Sequence, residues 1–101
     1  MITPGTTPEH TFTLPMPADS IKSVRIFYLV DDVVILQKET SDITMDGNKI
    51  KFTLTQEDTL KFLGAEKASI QLQVLSTGNS AFMSYQYHVA VGKSAATEVL
   101  T

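Results

Sequence analysis

The chain has 101 residues, 43% of them apolar, and a formal net charge of −3. That length fits one domain with a modest core, and that apolar fraction is too high for a disordered chain. The lack of cysteine excludes disulfides, thiolate metal sites and cysteine nucleophiles; the eight Lys and Arg form no basic cluster for nucleic acid; and no apolar run reaches the roughly 18 residues that would span a membrane.

Met1 to Pro8, rich in Thr and Pro, reads as an extended, peripheral lead-in, and it carries neither the basic nor the apolar region of a signal peptide. The domain proper is predicted over 9–91. Glu9 to Leu14 alternates, with Phe12 and Leu14 inward and His10 on their side, so it reads as a first strand that Pro15-Met16-Pro17 ends. Ile21 to Val30 is a second strand with Val24, Ile26, Tyr28 and Val30 on one face. Its other face turns apolar at Phe27 and Leu29. Asp31-Asp32 makes a tight turn, and Val33 to Glu39 returns without clean alternation. The hairpin from Val24 to Leu36 is therefore apolar on both faces. It is either a central strand pair covered on both sides or an exposed patch that binds a partner.

Ile43 and Met45 mark a very short strand before the Asp46-Gly47-Asn48 turn. In Lys49 to Thr55, Ile50, Phe52 and Leu54 fall at period two, the mark of a half-buried strand. Thr55 is a plausible N-cap for a short helical turn over about 56–63. Glu57 and Asp58 stand at its positive end, Asp58 makes only part of a capping box, Leu60, Leu63 and Phe62 give its apolar side, and Gly64 stops it. Ala68 to Val74 alternates most cleanly. The last strand, Ala81 to Val91, places Met83, Tyr85, Tyr87, Val89 and Val91 on one face and Ser84, Gln86 and His88 on the other. The tail 92–101 reads as a strand extension, a linker or a docking arm. Together these are about seven antiparallel strands with one helical turn between the fifth and sixth, the pattern of an all-β, immunoglobulin-like β-sandwich.

Few residues carry chemistry. His10 and His88 lack a third metal ligand. Asp31, Asp32, Asp42 and Asp46 do not follow an EF-hand spacing, and turns account for them. Glu57 and Asp58 are neighbours and cannot flank a glycosidic bond, and Ser84 has no nucleophile-elbow setting. No enzyme, cofactor or metal is expected. Among the aromatics, Phe27 and Phe82 are the better surface candidates, with core packing the default for Tyr85 and Tyr87.

The run Gly47 to Leu60, then Gly64, Ala68 to Val74, a Gly turn and a last strand containing Ser84, resembles the N-terminal domain of phage baseplate upper proteins. It also looks like small proteins encoded among phage and prophage tail genes of gut Firmicutes. The resemblance covers the second half of the chain. It implies a non-catalytic structural or assembly module, made in a bacterial cytoplasm and residing in the virion. Its partners would be other virion or tail subunits, or further copies of itself. Phe27, Leu29, Val34, Leu36 and Phe82 are then the predicted protein interface. A carbohydrate-binding or adhesion module is the alternative.

Overall fold

A computed structural model of the chain describes residues 1–14, 16–84 and 86–101. Among them the strands are β1 (Glu9–Thr13), β2 (Ile21–Val30), β3 (Val33–Lys38), β4 (Thr44–Asp46), β5 (Lys49–Thr53), β6 (Lys67–Ser76), β7 (Ala81–Met83) and β8 (Tyr87–Ala90). A helical turn, α1 (Gln56–Leu60), joins β5 to β6. They form two antiparallel sheets. One has the order β1-β5-β4; the other has β3-β2-β6-β7, with β8 also paired to β6. In immunoglobulin terms, β1, β5 and β4 stand where strands B, E and D do. β3, β2, β6 and the β7–β8 pair stand where C′, C, F and G do. The expected β-sandwich is present, and the predicted seventh strand is two, β7 and β8.

Period-two patterning builds the core. Ile50 and Phe52 of β5, Val24, Ile26 and Tyr28 of β2, and Ala68, Ile70, Leu72 and Val74 of β6 all turn inward and are buried. Tyr28 is the largest fully buried side chain. It occupies the strand where antibody domains place a core tryptophan. Its ring meets Phe52 and Phe62 edge-on, at centroid distances of 6.0 and 5.8 Å.

The lead-in is not peripheral. Ile2 is 0% exposed and belongs to the core. It makes an isolated parallel bridge to Val91: its N–H donates to Ala90 O (2.9 Å), and Gly92 N–H donates to its carbonyl (2.7 Å). One β-branched residue in a Thr/Pro context is too little periodicity to mark a core position.

The helical turn starts at Thr55 as expected, but its capping box is complete. Asp58 N–H donates to Thr55 Oγ1 (3.1 Å), and Thr55 N–H donates to Asp58 Oδ2 (3.0 Å). An aspartate at this position reaches back as a glutamate does. After Leu60 the chain tightens into i→i+3 bonds, among them Phe62 N–H to Thr59 O. Three residues per turn eclipse Thr59 with Phe62. Both are fully buried, whereas Leu63, expected inside, is exposed.

The tail folds back rather than extending the sheet. Gln56 brackets Leu100, accepting from its N–H (2.8 Å) and donating to its carbonyl (3.0 Å). Of the expected proline break, Pro15 lies outside the described residues, as does the predicted inward Tyr85. No helix among the described residues is long and apolar enough to cross a membrane.

Candidate interaction surface

Directly paired residues of antiparallel strands point to the same side. The register therefore states what each outer face carries. On the three-stranded sheet that face is Glu9, Thr11 and Thr13 of β1, Lys49, Lys51 and Thr53 of β5, and Thr44 and Asp46 of β4. It holds only charges and threonines, with Asp46 opposite Lys49.

The outer face of the larger sheet is different. One rung is Val34, Leu29, Ser69 and His88; the next is Gln37, Phe27 and Gln71; the third is Arg25, Gln73 and Met83; the fourth is Ser23, Leu75 and Ala81. Apolar and amide side chains fill its middle. Its formal charges stand towards its edges, where Arg25 Nε donates to Glu39 Oε2 at 3.1 Å. Hydrogen bonds from Gln37 and then Arg25 hold the Glu39 carboxyl below its ordinary range. A shallow depression of about 260 Å³ beside this pair is lined by Ser23, Arg25, Glu39, Gln73, Leu75 and Ala81.

The five predicted interface residues do not form one patch. Val34 is on this face and 48% exposed, and Phe27 is there and half-buried. Leu29 is on the same face but only 9% exposed. Leu36 pairs with Tyr28, is 6% exposed and belongs to the core, so it is not an interface residue. The apolar run hides a bulge: Tyr28 opposes Leu36 and Leu29 opposes Val34, which leaves Ile35 as the extra residue. Phe82 pairs with Val74 and so lies on the core side, at the sheet margin, where it stays 48% exposed.

Met83 takes the place predicted for Phe82. It pairs with Gln73 on the outer face and is 53% exposed. Tyr87, four residues on, pairs with Ile70, three residues from Gln73 on β6. The extra residue on the β7–β8 side reverses the alternation, so Tyr87 and Val89 fall on the core side of the register while Met83 faces out; Val89 packs against the core, but Tyr87, expected in it, stays 43% exposed at the sheet margin. Ser84 sits at this bulge: Leu72 N–H donates to its hydroxyl (2.8 Å) and Ser84 N–H to Leu72 O (2.8 Å).

The two histidines are on different surfaces. His10 faces the core from β1, pairing with Phe52, and its Nδ1 lies 2.7 Å from Tyr28 Oη. Burial, and then the amino-terminal ammonium, lower its pKa. Burial, and then the Asp58 carboxylate, raise that of Tyr28, which stays a neutral phenol. His88 is outside, its Nδ1 3.2 Å from Ser69 Oγ. That exposed pair borders a depression of about 290 Å³ with Leu29, Asp31, Asp32, Lys67 and Gln86. Asp31 and Asp32 both have positive φ (51° and 62°), as a two-residue I′ hairpin requires. Among the described residues no group of three or more His, Asp or Glu could hold a metal ion.

No family model, no curated protein and no solved structure matches this chain.

Proposed function

We propose that the chain is a non-catalytic assembly module of a phage or prophage tail, docking on tail subunits and on copies of itself. The contact surface is the outer face of the β3-β2-β6-β7 sheet. One observation carries this reading: of the two outer faces, one bears charges and threonines throughout, while the other places Phe27, Val34 and Met83 among amides and keeps its ion pair off the middle. Interfaces deplete charge at their centre and keep it at the rim. The depression beside Arg25 and Glu39 can take an anchoring side chain. The tail assignment itself rests on the resemblance of residues 47–91 to baseplate upper domains.

Mass spectrometry of purified particles from the phage or prophage that encodes the chain tests the placement. Tail particles that contain the chain support it; particles that lack it contradict it.

A further inference from the structure

The smaller sheet has room for one more strand. Its order β1-β5-β4 matches B-E-D of an immunoglobulin domain, whose sheet begins with a strand A beside B. Among the described residues no strand pairs with that side of β1, and the open edge of β8 is met only by Ile2, at Val91. Between the two strands lies a groove of about 410 Å³, lined by Phe12, Ile70, Tyr87 and Val89. The rings of Phe12 and Tyr87 meet there at a centroid distance of 5.6 Å, yet Tyr87 stays 43% exposed.

Backbone direction fixes the kind of chain that fits. Val91 N–H donates to Glu66 O, whereas Ala90 O and Gly92 N–H bond Ile2. Alternation therefore turns the N–H and C=O of His88 and the N–H of Ala90 to the open edge. On β1, Leu14 N–H donates to Asn48 O, so the backbone groups of Thr11 and Thr13 turn outward in the same way. Ile2 shows how a chain sits at this edge: parallel to β8, with its side chain buried. On a strand in that register, the residues two and four places earlier stand opposite Val89 and Tyr87, with their side chains in the groove.

We propose that this groove takes a strand from another protein: an extended segment with aliphatic side chains at alternate positions, running parallel to β8 towards Ile2. Its backbone pairs with His88 and Ala90, which supplies affinity whatever its sequence, and its alternate side chains cover Tyr87 and Val89, which supplies selectivity. The groove is separate from the outer face of the larger sheet, so either reading can fail alone.

The test titrates a short peptide of alternating threonine and valine into the isotope-labelled full chain, followed by NMR. Saturable shifts and slowed exchange are expected at the His88 and Ala90 amides. Both should be lost with Tyr87→Asp, and with a peptide N-methylated at its valines, which keeps the side chains but removes the donors. The same segment is also fused ahead of Met1, with valines two and four residues before Ile2, where its effective concentration at the groove is high. In that register it should raise the melting temperature and protect the two amides; shifted by one residue, which turns the valines outward, it should do neither. No protection in the fused chain, equal effects in both registers, or undiminished binding of the N-methylated peptide overturns the proposal. Protection by the fused segment with no binding of the free peptide at millimolar concentration overturns a partner strand in favour of a segment of the same chain.

Discussion

Lys38 Nζ lies 2.8 Å from Asp58 Oδ2, an ion pair that ties β3 to the first turn of α1. Asp58 is also both halves of the capping box with Thr55. One side chain therefore fixes the helical turn and holds the edge strand of the larger sheet to it.

Asp58→Ala should destabilise the domain by about 2–4 kcal/mol, combining a lost cap with a shielded ammonium left without its partner. Lys38→Met, which keeps the cap, should cost less. Urea unfolding of the two variants checks the order; equal losses would show that the cap contributes nothing.

Acid should weaken the fold in two stages. His10 has a folded pKa below its ordinary 6.5 because burial disfavours the imidazolium. Below about pH 6.5 the unfolded chain thus binds the proton more readily, and stability falls as pH falls. Burial pushes the Asp58 carboxyl up, but hydrogen bonds from Lys38 and Thr55 outweigh it and hold the pKa below its ordinary 3.8. Its contribution is present above that value and is lost as pH drops through the lower, folded one. The urea midpoint should therefore fall between pH 7.5 and 5.5 in the wild type, and by less in His10→Gln. An equal fall in both would place the first stage elsewhere.

Ile2→Ala should cost about 2–4 kcal/mol, as for a core aliphatic residue, despite standing second in the chain. A melting temperature unchanged by this substitution would show that the Ile2 slot is not part of the core.

Alternation over β2, β5 and β6 was enough to give the sandwich and the inward set Val24, Ile26, Tyr28, Ile50, Phe52, Ile70 and Leu72, because a strand buried on one face writes its period into the sequence. The interface was legible only in part. Period two is blind to an inserted residue, and two insertions decide this surface: Ile35, after which Leu36 turns to the core, and the one between Ser84 and Tyr87, which exchanges Phe82 for Met83. Neither carries a glycine or proline to mark it. Ile2 was missed for a related reason, since a single bridge has no period at all.

Ser84→Ala should cost about 1–2 kcal/mol, because the Leu72 N–H loses its hydroxyl acceptor. Hydrogen exchange should locate the effect, with the Leu72 amide losing protection while Ile26 and Tyr28 on β2 keep theirs. Unchanged protection at Leu72 would contradict the role given to the hydroxyl at the bulge.

The most direct test of docking through the outer face is solution mass by light scattering across a concentration series, on the wild type and on Val34→Asp with Met83→Asp. Both residues are about half exposed, so each substitution should leave the folding stability within about 0.5 kcal/mol of wild type. The account predicts a defined wild-type oligomer and a monomeric double variant. An oligomer that withstands both aspartates, or a wild type that stays monomeric throughout, would contradict it.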